Sequence, residues 1–95
     1  MKVVYLASAR DDVVWMRRYY VDVFPEGASK ARKQFRATEN ILRSNPEIGH
    51  PTEWDRVREF SIPNIPFSVI YRIKEGRIEV LRIWDERRNR GQDIV

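Results

Sequence analysis

Apolar residues recur along the chain with two different periods, which divide it into strand-like and helix-like segments. Short runs rich in valine, isoleucine and aromatic residues, bounded by turn-forming or charged residues, are typical of strands. A tight-turn pair, Glu75-Gly76, separates the last two of these runs. The pattern predicts one strand near the start of the chain and an antiparallel meander of three strands near its end, over residues 2–6, 56–62, 66–73 and 77–84.

A first helical segment follows the opening strand. Ser8 is predicted to cap this helix, which should begin near Ala9 and carry two aspartates in its first turn. The sequence PEG at 25–27 ends the helical pattern. Its apolar stripe, at steps of three and four residues, consists of Val13, Met16, Tyr20 and Val23 or Phe24.

A second helical segment carries small and apolar side chains on one face and basic side chains on the others, and Asn45-Pro46 stops it. Because few residues separate the two helices, we expect an antiparallel helical hairpin. Each apolar stripe is too narrow for a helix that is stable alone, so both helices need a sheet to pack on. The apolar face of the second helix consists of Ala28, Ala31, Phe35, Thr38 and Leu42.

These elements have the order βααβββ, with residues 46–55 predicted as an irregular loop because they contain two prolines and a glycine. The order predicts an α+β fold, in which an antiparallel helical hairpin packs on one face of a four-stranded, mainly antiparallel sheet. The 42% of hydrophobic residues suffices for two packed layers. No internal repeat or second domain is visible, so a single domain is predicted over residues 1–95.

The register of the last two strands can be counted outward from the Glu75-Gly76 turn. Side chains alternate between the faces of a sheet, so Phe67 and Trp84 should both face the helices. Arg82 would share that apolar face and must reach a carboxylate, a helix C-terminal carbonyl or the sheet margin. The count pairs Ile73 with Ile78, Arg72 with Glu79, Tyr71 with Val80, Ile70 with Leu81, Val69 with Arg82 and Phe67 with Trp84. The Arg72 and Glu79 side chains are expected to form an ion pair.

The charge balance favours a negatively charged partner. Lysine and arginine total 18 against 14 aspartate and glutamate residues, which gives a net charge of +4. The excess is concentrated in the segment "DERRNR", residues 85–90, which follows the last strand and contains Arg87, Arg88 and Arg90. Guanidinium groups bind phosphates and carboxylates with two parallel hydrogen bonds. The alternative is a solvated tail, neutralised by Asp85, Glu86 and Asp93.

Several classes of site are excluded by composition. The absence of cysteine excludes disulfides, thiolate zinc sites and cysteine nucleophiles. The single histidine, His50, has no suitably spaced partners, so neither a metal site nor a cofactor is predicted. No phosphate-binding glycine loop and no Ser-His-Asp set is present. No apolar run reaches the length of a membrane helix and no signal peptide is visible, so a cytoplasmic location without membrane contact is predicted.

The run "VREFSIPNIPFSVIYRIKEGRIEVLRIWDERRN", from Val57 to Asn89, resembles the C-terminal half of the RelE/ParE superfamily of toxins of bacterial type II toxin-antitoxin systems. The shared pattern is an arginine-containing strand, a proline-containing link, an aromatic residue, "hhYR", a tight turn and "hhLRhhH.RR". The first half matches through its βαα order, "SARDD" and "NPEIGHP". The resemblance implies a small α+β toxin that a cognate antitoxin neutralises in a hetero-oligomeric complex.

The resemblance also implies one of two toxic activities. RelE-like members cleave messenger RNA on the ribosome, whereas ParE-like members bind DNA gyrase and inhibit it without being nucleases. The arginine that follows the third-strand aromatic in the ribonucleases is replaced here by Ser68, and Asp85 stands where many members have histidine. No tyrosine follows "DERRNR". These departures favour the ParE-like branch, with growth inhibition through gyrase or another protein target.

The predicted target contacts are Arg87 and Arg88, with Trp84 and Phe67 packed near them. If the chain is instead a ribosome-dependent mRNA endoribonuclease, Arg58 would act together with Arg87 and Arg88. A third hypothesis is a non-toxic relic that only binds its antitoxin. The target, the retention of toxicity, and the identity and stoichiometry of the antitoxin are open at this level.

Overall fold

The computed structural model describes residues 1–88. Residues 89–95, which include Arg90 and Asp93 of the predicted charged segment, lie outside the described part of the chain. The described residues form, in order, β1 (Lys2–Tyr5), α1 (Ala7–Asp22), a 3₁₀ turn (Pro25–Gly27), α2 (Ala28–Ser44), β2 (His50–Pro51), β3 (Val57–Ser61), β4 (Phe67–Lys74) and β5 (Arg77–Asp85).

The sheet has the strand order β1-β5-β4-β3-β2. β1 lies parallel to β5 and the other neighbours are antiparallel, so the α+β prediction of a mainly antiparallel sheet is confirmed. The predicted count of four strands is wrong, because His50 and Pro51 pair with Glu59 and Arg58 inside the segment predicted as a loop. Two residues show no alternation, and a proline is compatible with a strand only at a sheet edge. The short edge strand therefore left no signal in the sequence.

The two helices cover one face of the sheet, with α1 packed on β5 and α2 packed on β1. The predicted apolar stripes are confirmed at Met16, Tyr20 and Leu42, which are buried, whereas Val23 and Phe24 are exposed because α1 ends at Asp22. The core between helices and sheet also contains Phe67, Val69, Tyr71, Ile78, Val80 and Ile83. Within residues 1–88, neither helix is long and apolar enough to cross a membrane.

The start of α1 differs from the prediction. The helix begins at Ala7 after Leu6, and Ser8 does not cap it. The Ser8 hydroxyl instead donates a hydrogen bond of 2.9 Å to the Leu81 carbonyl of β5. Asp12 accepts hydrogen bonds from the Ile83 backbone N–H (2.9 Å) and from Arg82 (2.7 Å). Because β1 pairs with β5 only as far as Val80, the first turns of α1 provide partners for the part of β5 that β1 does not reach.

The β4–β5 hairpin contains a bulge at Leu81. The turn at Glu75-Gly76 has positive φ at both residues, and the three predicted pairs next to it, together with the Arg72–Glu79 ion pair, are confirmed. Beyond Tyr71 the register shifts by one residue, so Phe67 lies opposite Asp85. Counting from a turn cannot detect an extra residue in one strand, and for this reason the predicted Phe67–Trp84 pair is wrong.

The bulge exchanges the faces of the residues that follow it. Ile83 joins the core beneath the helices, while Trp84 packs on the opposite face of the sheet with Val57, Ile70 and Trp54. Arg82 is exposed and pairs with Ile70 on that opposite face, so its predicted place beneath the helices is wrong, although it does reach a carboxylate, that of Asp12. Asp85 is turned toward the helical layer because it pairs with Phe67, which belongs to the core on that side.

Candidate target-binding site

Arg87 lies directly after β5 and is held by Asp85, the last residue of that strand. One carboxylate oxygen of Asp85 accepts hydrogen bonds from the backbone N–H (3.0 Å) and from Nε (2.9 Å) of Arg87. The other oxygen accepts one from Nη2 (2.9 Å). This two-pronged ion pair fixes both the turn after β5 and the direction of the guanidinium group.

Aromatic side chains form the rest of the surroundings of Arg87. Its Nη1 donates a hydrogen bond of 2.7 Å to the Tyr19 hydroxyl, and its guanidinium carbon lies 4.6 Å from the Tyr19 ring centre and 5.8 Å from that of Phe67. Cation–π attraction adds to the ion pair at these distances. Trp15, one helical turn before Tyr19, stacks on it with ring centres 6.0 Å apart. Trp15, Tyr19, Phe67, Asp85 and Arg87 are together called the Arg87 surface.

Both members of the ion pair are held in their charged forms. Burial alone would raise the pKa of Asp85, but its hydrogen bonds with Arg87 outweigh this and lower that pKa. The same hydrogen bonds raise the pKa of Arg87. The Asp85 side chain is only 9% exposed and that of Arg87 is 45% exposed. A ligand approaching this surface therefore meets the cation first.

The predicted contact residues are only partly brought together. Phe67 lies beneath Arg87 and is 1% exposed, while Arg88 is an exposed neighbour whose backbone N–H donates to the Asp85 carbonyl. Trp84 lies on the opposite face of the sheet, with the guanidinium group of Arg82 5.9 Å from its ring centre. The predicted grouping of Trp84 with Phe67 is therefore wrong, and its cause is the bulge at Leu81.

Arg58 does not join Arg87. Its Nη1 donates hydrogen bonds to the carbonyl groups of Glu47 (3.2 Å) and Gly49 (2.7 Å). Arg58 pairs across the strands with Tyr71. Tyr71 lies four residues from Phe67 along β4, which corresponds to a distance of roughly 13 Å between them. Arg58 thus orders the loop before β2, and the basic set required by the ribonuclease hypothesis is not assembled.

Ser68, which stands where the RelE-like ribonucleases have an arginine, is also inaccessible to a ligand. Ser68 is fully buried and donates a hydrogen bond of 2.6 Å to Glu59, which is itself buried.

Tyr19, by contrast, was missed as a site residue in the sequence. The available signal was the spacing of Trp15 and Tyr19, which lie four residues apart on α1 beside the buried stripe.

A second feature is a groove of about 740 Å³ between α1 and α2, called the helix groove. Its floor is apolar and includes Val13, Met16, Tyr20, Ala31 and Phe35. Its rim carries four exposed arginines, for which no ion pair is found among residues 1–88: Arg10, Arg17, Arg32 and Arg36. The carboxylate in the lining, Glu39, accepts a hydrogen bond from Tyr5. An apolar floor within a basic rim is suited to an acidic amphipathic segment.

Comparison with known proteins places this geometry in a family. The model of the ParE toxin of the type II toxin-antitoxin system, parDE, matches residues 3–90. The chain belongs to the ParE toxin family. Among solved structures it is similar to the "Chromosomal ParDE TA system from P. aeruginosa", with 30% sequence identity and a TM-score of 0.70. That match covers 87% of this chain and 92% of the other. A comparison with curated proteins finds no match.

The ParE-family match confirms the resemblance to the RelE/ParE superfamily and its ParE-like branch. It includes both helices and, apart from Lys2 at the start of β1, every strand of the described residues, so the helix groove and the Arg87 surface both lie on the family's own fold. For a ParE-family chain, an antitoxin is the partner class that the family implies.

Proposed function

We propose that this ParE-family chain inhibits growth by binding DNA gyrase, without catalysing a reaction, and that a cognate antitoxin neutralises it in the cytoplasm. The observation that carries the proposal is the fixed state of Arg87. Asp85 and Tyr19 hold its guanidinium group, and about half of its side chain is open to solvent. A fixed, exposed cation on an aromatic support is typical of contacts that contribute strongly to protein–protein binding.

RNA cleavage requires a different arrangement. Attack by a 2′-hydroxyl needs groups that transfer protons and cations that stabilise charge developing on the phosphate. On the Arg87 surface the two groups that could transfer protons, the Asp85 carboxylate and the Tyr19 hydroxyl, are both bound to Arg87. Arg58 is bound to loop carbonyls elsewhere. These contacts favour binding to a protein target over cleavage of RNA.

The helix groove is the surface that we assign to the antitoxin. Four exposed arginines around an apolar floor match an amphipathic helix whose polar face is acidic. Such a helix would bury Val14 and Val21 at the groove margin, which are 57% and 70% exposed in the chain alone. Covering these side chains gives the antitoxin a hydrophobic contribution beside the charge pairing.

The proposal is tested with purified chain, gyrase and relaxed plasmid. We expect the chain to block supercoiling, and we expect the product of the adjacent reading frame to relieve the block at equimolar concentration. Induced cells should filament and activate the DNA-damage response. Cuts in messenger RNA that follow the codon phase, without DNA damage, would instead establish the ribonuclease function. Harmless expression of folded chain that still binds the adjacent gene product would identify a non-toxic relic.

A further inference from the structure

The guanidinium group of Arg87 carries more N–H donors than its partners among residues 1–88 engage. Arginine carries five N–H donors in a fixed planar arrangement. Asp85 engages the Nε donor and one on Nη2, and Tyr19 engages one on Nη1. Two donors, one on each Nη atom, have no partner among the described residues 1–88. Two donors on neighbouring nitrogens match the two oxygens of a carboxylate.

The hydroxyl of Tyr19 is held in place by its surroundings. Tyr19 lies on α1, and its ring is stacked on Trp15 and packed edge-on against Tyr20 and Phe67 at centre distances of 5.0–6.1 Å. These ring contacts hold Tyr19 in place. Its hydroxyl accepts the hydrogen bond from Nη1, the guanidinium nitrogen that Asp85 does not bind. A contact supported in this way by a second layer of side chains is more exact than one made by a free side chain.

We propose that Tyr19 is a positioning residue for Arg87, and that the positioned guanidinium binds a carboxylate side chain of the protein target. The inference rests on the proposed function and adds the residue that orients the contact and the chemical class that the contact recognises. An ordered arginine loses less side-chain entropy on binding than a free one, because its rotamers are already restricted. Tyr19 acts through Arg87 and need not touch the target.

The test compares the inhibition of gyrase by four forms of the full chain: wild type, Tyr19→Phe, Arg87→Ala and the double variant. Tyr19→Phe removes the hydroxyl and keeps the ring. We expect it to raise the concentration needed for half-inhibition about five- to tenfold, the loss of one charge-assisted hydrogen bond. If Tyr19 acts through Arg87, the same change adds nothing in the Arg87→Ala background. Equal thermal unfolding of wild type and Tyr19→Phe serves as the fold control.

Two outcomes overturn the inference while the gyrase proposal stands: inhibition that Tyr19→Phe leaves unchanged, or an effect of equal size with and without Arg87. If wild type does not inhibit gyrase at all, the proposed function fails, and positioning is then judged by NMR relaxation of the Arg87 Nε–H group. Tyr19→Phe is expected to lower the order parameter of that group. An unchanged order parameter overturns the positioning role, whatever the target is.

Discussion

The helix groove and the Arg87 surface use the same residue type in opposite ways. Four arginines on the groove rim are exposed, with no ion pair among residues 1–88, whereas the guanidinium group of Arg87 is bound by Asp85 and Tyr19. Helix α1 contributes to both surfaces, with Arg17 facing one and Tyr19 the other. Free arginines attract an acidic partner over a wide surface and adapt to it, while a fixed arginine recognises one group in one geometry. Under the proposed function, the groove therefore provides affinity for an antitoxin and Arg87 provides recognition of the target.

Reversing charges on the groove rim is expected to have the largest effect. The double variant Arg17→Glu, Arg32→Glu places like charges opposite an acidic helix and should weaken antitoxin binding by about 100-fold or more. Inhibition of gyrase should change by less than about twofold, since neither side chain belongs to the Arg87 surface. The double variant Arg56→Glu, Lys74→Glu is the matched control, because both of its positions are exposed and lie outside the groove. Calorimetric titration with the antitoxin measures the effect, and equal affinity of the two variants would refute the groove assignment.

Removing the fixed arginine should reverse that pattern. Arg87→Ala is expected to weaken gyrase inhibition about 30-fold, the size of a strong interface contact, and to leave antitoxin affinity nearly unchanged. The single variant leaves the Asp85 carboxylate without its partner, so the double variant Asp85→Asn, Arg87→Ala is measured beside it. Arg87→Lys should retain only part of the inhibition, because an ammonium group cannot form two parallel bonds to a carboxylate. Full inhibition by both alanine variants would contradict the role of Arg87.

Arg58 is expected to have a structural role, in contrast to the target-binding role proposed for Arg87. Arg58→Ala removes two hydrogen bonds to the loop before β2 and should lower the free energy of unfolding by about 1–2 kcal/mol. Gyrase inhibition per folded molecule should stay within about twofold of wild type. Denaturant titration and the supercoiling assay measure the two quantities. Loss of activity at full folding would mean that Arg58 belongs to the site after all, as the ribonuclease hypothesis requires.

The smallest expected effect concerns pH. The pKa of Asp85 is lowered in the folded chain, because the hydrogen bonds from Arg87 outweigh its burial. A carboxyl group with a lowered folded pKa stabilises the fold above its unfolded pKa of about 4, and this contribution is lost as pH falls below that value. Between about pH 6 and about pH 3, wild type should therefore lose on the order of 1 kcal/mol more stability than Asp85→Asn. Parallel acid dependence of the two proteins, measured by denaturant titration, would show that the ion pair contributes nothing.

Most of the fold could be predicted because hydrophobic periodicity reflects the burial of each side chain. The stripes of α1 and α2 and the turn at Glu75-Gly76 were visible in this way. The misses have local physical causes. β2 is too short for a pattern, and Ser8 bonds to β5 instead of capping α1 because the hydroxyl can reach a strand carbonyl that lacks a partner there. Such partners depend on tertiary contacts, which propensity does not describe.

The candidate site was less predictable than the fold. Arg87 was found because charge is visible in composition, and Phe67 because it belongs to an apolar run. The contribution of Tyr19 depends on how α1 lies across the end of β5, and the displacement of Trp84 depends on one extra residue in that strand. Neither feature follows from local sequence, because each arises from the packing of one element against another.

The single unpaired residue at Leu81 sets a condition on how Arg87 can be compared with arginines in other chains. A relative that lacked this extra residue would direct its counterpart of Asp85 away from the helical layer, even if every neighbouring residue were identical. The length of the segment between Val80 and Asp85 is thus as diagnostic as the residues themselves. Transfer of a role to or from Arg87 is justified only between chains in which that length is the same.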